Sequence, residues 1–225
     1  MNARSRAGLR AGLALVAVLF SSYSAALTLE SAARNIRFAN LSTEDGLSSE
    51  FVNDVVQDGR GYIWFATQSG LNRYDGHEVK VYEHRPDDPR SLSDNFLRAL
   101  MVDSDGELWV GSGRGLNRYD PTTDSFDRTP FGGQLAFARI RDVMEDSNGR
   151  IWVGTVATGL VGIERDGSDI RYYRNDPERS DSLPDDRVIA MAEDRRGYLW
   201  VGTDGGGLAR LNRDSGSFTR FVHDP

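Results

Sequence analysis

The 225-residue chain has no cysteine, three histidines, seven prolines and no long apolar run after its first 26 residues. Without cysteine there are no disulfides, no thiolate metal sites and no thiol nucleophile. The histidines, His77, His84 and His223, share no periodic position. They are expected on the surface, in the outer parts of the structure. Basic residues are also in short supply, 27 against 34 acidic, for a net charge of −7. An acidic balance argues against nucleic acid as a partner. Finally, no stretch of ten or more residues has helical periodicity, so any helix is expected to be a single turn.

The N-terminus indicates a compartment. Arg4, Arg6 and Arg10 precede the apolar run 11–20, and Ser24-Ala25-Ala26 offers small residues for cleavage before Leu27. This is the layout of a secretory signal peptide. The run is too short for a bilayer-spanning helix, which needs roughly 20 apolar residues. Residues 1–26 are therefore expected to be a signal peptide and 27–35 a leader. Removing the signal would leave 24 basic and 34 acidic residues, net −10. No further membrane span is expected, and the mature chain is expected outside the cytoplasm.

What is abundant is repetition. All four tryptophans, Trp64, Trp109, Trp152 and Trp200, recur at spacings of 45, 43 and 48 residues. Six positions before each stands Asp58, Asp103, Asp146 or Asp194, and three before stands Gly61, Gly106, Gly149 or Gly197. Apolar columns lie one, nine, twelve and seventeen positions before each tryptophan. Asp-x-x-Gly suits a tight turn, because the aspartate accepts backbone N–H bonds and glycine tolerates positive φ. The segments on either side are rich in β-branched and aromatic residues, as strands are. A Gly-Leu pair opens a third strand and a further turn leads to a fourth.

A four-stranded unit of this length cannot bury both its faces alone. Stacking units around an axis buries them, which predicts an all-β, β-propeller fold. The propeller is expected over 36–225, with blade cores near 47–89, 92–131, 135–177 and 183–225. Ile36–Phe38 reads as an early edge strand. Phe218–Pro225 matches the end of earlier repeats, so the four blades are expected to belong to a larger, seven-bladed ring. A compact four-bladed ring and a ring shared between chains are the alternatives.

The pattern D-x-x-G-x-[IL]-W-[FV]-[AG]-[TS], followed by Gly-Leu and, in two repeats, NRYD, resembles the two-component regulator propeller repeat. The third repeat departs from it, with one extra residue before Gly159 and no NRYD. The resemblance implies a bacterial periplasmic sensor region, non-catalytic by itself. In full-length members the output is often a histidine kinase or a diguanylate cyclase. Some members sense oligosaccharides, so a small ligand is expected, an acidic oligosaccharide if the rim arginines described below bind it; the unfinished repeat adds an expectation of further blades or self-association. No cofactor is expected. Streptogramin-lyase-like propeller enzymes carry similar repeats, and a propeller scaffold that binds a protein is a third reading. The lyase reading would need a histidine near the central mouth.

The recurring columns are poor candidates for chemistry. Two positions after each repeated aspartate stand Arg60, Asp105, Asn148 and Arg196, which is not a metal-ligand set. The glycine-rich stretches 111–115 and 205–207 open no helix, so a phosphate-loop reading has no support. The variable positions are more informative. Thirteen and eleven before each tryptophan stand Phe51 and Asn53, Phe96 and Arg98, Arg139 and Arg141, Arg187 and Ile189. These positions lead into the innermost strand, near the mouth of a propeller's channel. Arg98, Arg139, Arg141 and Arg187, with Phe51 and Phe96, are the candidate ligand-binding residues. Local pairing of the arginines with Asp94, Asp142, Asp185 and Asp186 is the competing expectation.

Overall fold

The computed structural model describes residues 40–221. The expected signal peptide, the leader, the strand at Ile36–Phe38 and His223 lie outside the described residues. Four antiparallel four-stranded sheets make up the fold. Blade 1 contains β1 (Val52–Gln57), β2 (Ile63–Thr67), β3 (Gly70–Tyr74) and β4 (Val79–Tyr82). Blade 2 contains β5 (Leu97–Val102), β6 (Leu108–Ser112), β7 (Gly115–Asp120) and β8 (Ser125–Asp127). Blade 3 contains β9 (Ile140–Glu145), β10 (Ile151–Thr155), β11 (Leu160–Ile163) and β12 (Ile170–Tyr173). Blade 4 contains β13 (Val188–Glu193), β14 (Leu199–Thr203), β15 (Gly207–Leu211) and β16 (Phe218–Phe221). Two short 3-10 turns, Thr43–Asp45 and Pro130–Gly133, precede first strands. Among the described residues no helix is long and apolar enough to cross a membrane.

Within each blade the strands pair in chain order. The first strands β1, β5, β9 and β13 pack side by side and form the inner wall. The first three tryptophans are each buried against the following blade. Trp64 packs with Leu97, Leu108 and Tyr119, Trp109 with Ile140 and Ile151, and Trp152 with Val188 and Leu199. An aromatic side chain that buries about 150–250 Å² contributes roughly 4–6 kcal/mol of hydrophobic stabilisation. Among the described residues no blade follows Trp200; it rests on Phe221 and is only half-buried. Leu208, in the column of the fully buried Leu71 and Leu160, is 41% exposed. Val55 is exposed on the opposite end face. Over the described residues the arc of four blades is therefore open at both ends.

The Asp-x-x-Gly turn is built identically four times. In blade 2, Asp103 Oδ1 accepts the N–H groups of Asp105 and Glu107 at 3.0 and 2.9 Å. Its Oδ2 accepts the Trp109 indole N–H at 2.8 Å. The indole–carboxylate bonds of Trp64, Trp152 and Trp200 are 3.0, 2.7 and 2.9 Å. The repeated aspartate thus links the hairpin turn to the interblade tryptophan, and both its oxygens are occupied. Gly61, Gly106, Gly149 and Gly197 close the turns at φ between +79° and +90°, where a side chain is strained.

The fourth strand of blade 2 is shorter than the sequence pattern implies. It ends at Asp127, and Phe131 leaves the sheet to stack flat on Trp109, with ring centroids 5.3 Å apart. The turn at Pro130 redirects the chain there.

Candidate functional site

The rim residues are placed by one recurring irregularity. All four inner strands contain a β-bulge at the same column, eleven before the tryptophan. In β1 the register skips from Val52 to Asp54, in β5 from Leu97 to Ala99, and in β13 from Val188 to Ala190. In β9, Ile140 pairs with Thr155 and Asp142 with Gly154. The unpaired residues are Asn53, Arg98, Arg141 and Ile189. A bulge lifts its residue out of the ladder and re-aims the side chain. The fold thereby presents one variable side chain per blade at the axial rim.

The column two residues earlier is held by turns. Carbonyls of Phe96, Arg139 and Arg187 each accept a backbone bond of 2.9 Å, from Gly113, Val156 and Asp204 in the turn after the blade's second strand. In blades 1, 2 and 4 a side chain fifteen before the tryptophan caps this segment. Ser49 Oγ, Asp94 Oδ1 and Asp185 Oδ1 accept the N–H of Phe51, Phe96 and Arg187. The NRYD asparagines anchor the loop further back, with Asn72 and Asn117 accepting the N–H of Ser48 and Ser93.

Blade 3 departs from this scheme. Its capping position is Phe137, which has no acceptor, adopts φ +65° and is 80% exposed. A left-handed conformation in a bulky residue is strained, and such strain gathers at binding sites. The interblade bonds from Gly70 to Asn95 O and from Gly159 to Asp186 O have no counterpart from Gly115 among the described residues. Sequence reasoning passed over Phe137, yet it was detectable as an aromatic in a column otherwise filled by Ser49, Asp94 and Asp185.

The four candidate arginines separate into two groups. Arg187 pairs with Asp185 and Asp204, both at 3.1 Å. Arg98, Arg139 and Arg141 have no carboxylate within salt-bridge distance among the described residues. The nearby acids are engaged elsewhere. Asp94 caps Phe96, Asp142 accepts the Met191 N–H at 2.6 Å, and Asp186 accepts the Asn175 N–H at 2.6 Å. Burial, and then the charges of Arg141 and Arg139, push the Arg98 guanidinium below its ordinary value. Burial likewise raises the Asp142 carboxyl, against the bonds it accepts. Arg98 lies over the Phe96 ring at 4.5 Å, which holds it in place. Phe51 is 66% exposed on the end blade, with its N–H capped by Ser49 Oγ.

Other features are structural or peripheral. His84 Nδ1 lies 2.6 Å from the Leu92 carbonyl, and His77 is exposed beyond β3. Among the described residues no three His, Asp or Glu side chains converge as a metal set. A concavity of about 490 Å³ lies on the outer edge of blade 2, lined by Arg90, Arg118, Phe126 and Arg128. It is remote from the inner strands.

Comparison with known proteins bears on the repeat itself. The sequence model described as two component regulator propeller matches residues 46–69, 91–114, 134–157 and 182–205. Each match runs from the rim-forming loop through the first two strands of a blade. A 67-residue stretch is 39% identical to Histidine kinase P4 of Formosa agariphila, covering 30% of this chain and 5% of that protein. The extracellular domain of a putative hybrid two component system from B. thetaiotaomicron superposes with TM-score 0.72 at 28% identity, over 82% of this chain and 26% of that one. A catalytically inactive virginiamycin B lyase from Staphylococcus aureus superposes with TM-score 0.61 at 15% identity, over 86% of this chain and 62% of the lyase. That likeness is one of fold alone. The chain thus spans about a quarter of the sensor domain and a small part of the kinase. With four matched segments, one per blade, and the same blade architecture as an extracellular sensor domain, the chain belongs to the two-component regulator propeller family.

Proposed function

We propose that this chain is the exported, non-catalytic sensor part of a bacterial signal-transduction receptor of the two-component type. The observation that carries this reading is the match of four blades to the extracellular domain of a hybrid two-component system. The N-terminal layout of Arg4, Arg6 and Arg10 before an apolar run supports export to the periplasm. Ligand binding at the axial rim, where the bulge residues project, would bias the receptor between two states. Such a shift requires a ligand with different affinities for the two states.

Export is tested by expressing the full chain in a Gram-negative host and sequencing the N-terminus of the periplasmic product. Recovery of a mature protein that starts near Leu27 is expected. Retention of the intact chain, Met1 included, in the cytoplasm would overturn the exported-sensor reading.

A further inference from the structure

Resting on the rim-binding reading, we infer that the junction of blades 2 and 3 is an oxyanion site. Arg98, Arg139 and Arg141 there take a ring compound bearing carboxylate or sulfate, whose apolar face lies on Phe137.

Three observations converge on this junction. The first is uncompensated charge. In a chain with net charge −7, three guanidiniums share one rim without an ion-pair partner among the described residues. Arg187, the blade 4 counterpart of Arg139, is neutralised by Asp185 and Asp204. The difference has a local cause. Blade 4 has aspartate fifteen before its tryptophan, and blade 3 has Phe137 instead. The carboxylates of Asp54 and Asp142, one residue beyond the bulges of β1 and β9, are turned to the Leu100 and Met191 N–H groups. They brace adjacent blades and leave the arginine heads available.

The second observation is preorganisation. Arg98 and Arg141 occupy β-bulges, so the backbone aims them. Arg98 is stacked on Phe96, which restricts the guanidinium while leaving its N–H edge open. Guanidinium presents paired donors that match the two oxygens of a carboxylate or sulfate. The third is Phe137. It is exposed, strained and two residues before Arg139 in the chain. An aromatic face next to a basic cluster suits a ligand with both an apolar ring face and a negative substituent. Inorganic anions would use only the arginines.

Calorimetric titration of the full exported chain tests this with trigalacturonate, maltotriose and inorganic sulfate. Trigalacturonate is expected to bind, more weakly as salt rises, because the attraction is screened. Arg139→Ala/Arg141→Ala should weaken it by roughly tenfold or more, the loss of two charge-assisted contacts. Arg187→Ala should leave it unchanged. Phe137→Ala should weaken trigalacturonate while leaving sulfate unaffected. In the ligand-free protein, Arg141→Met should raise the urea midpoint at low salt, and added salt should erase that gain. This readout confirms that the variants fold and reports the repulsion directly. Equal affinity of the double variant and the parent for trigalacturonate would overturn the inference. Maltotriose binding as tightly as trigalacturonate, through an affinity indifferent to the arginines, would also overturn it, yet leave a rim-binding sensor standing.

Discussion

Truncating the repeated aspartate should destabilise an inner blade far more than an end blade, although the two turns have the same bonds. In Asp103→Ala the Trp109 indole N–H loses its acceptor. Trp109 is 1% exposed, so water cannot replace it. An orphaned buried donor costs about 1–3 kcal/mol. The amides of Asp105 and Glu107 lose charge-assisted bonds but lie in an open turn and rehydrate, adding about 1 kcal/mol. The expected loss is roughly 3 kcal/mol. At an m-value of about 2 kcal/mol/M in urea, this lowers the unfolding midpoint by about 1.5 M. Asp194→Ala removes the corresponding bonds, from Trp200, Arg196 and Tyr198. Trp200 is half-buried at the open face, so its N–H gains water and the midpoint should fall by clearly less. Urea titrations followed by tryptophan fluorescence measure both. Equal losses, or no loss for Asp103→Ala, would refute the argument that burial of the indole gives this bond its weight.

Gly111→Ala would place a Cβ 2.6 Å from Ile140 Cγ2 of the next blade. Overpacking of this kind should cost about 1–3 kcal/mol, visible as a lower thermal midpoint. Acid should loosen the blades. Burial raises the Asp58 carboxyl, but bonds from Trp64 and Arg60 hold it lower still, below its ordinary value. Its stabilisation is therefore complete above the ordinary carboxylate range and lost as pH falls through its lowered folded value, which a pH series of urea midpoints will follow. Asp142 has the opposite sign, since burial raises it. Asp142→Asn should therefore leave neutral-pH stability unchanged or improved, while its side-chain oxygen still accepts the Met191 N–H. A clear drop in the midpoint at pH 7 would contradict this.

The repeat was legible because interblade packing imposes the same demand four times. Each tryptophan needs an acceptor six residues earlier and a glycine to close the turn. Each inner strand needs apolar residues facing the preceding blade. Such demands leave columns in a sequence. Blade 2 shows where that reasoning fails. Phe126 and Phe131 both fall within the expected blade core 92–131, but Trp109 offered a flat face on which Phe131 stacks, outside the sheet. A local pattern contains no record of that competition.

The blade is written along the chain, since strand period, turn chemistry and tryptophan spacing are local and repeated. The chain also placed four arginines at one rim. Which of them remain available follows from the packing of the blades. Arg187 meets Asp204, seventeen residues away, because a turn folds back over the rim. Arg98, Arg139 and Arg141 come together from two blades, and the carboxylates near them are drawn into bonds across blade joints. Pairing between charges depends on distances set by packing, and no spacing along the chain encodes them.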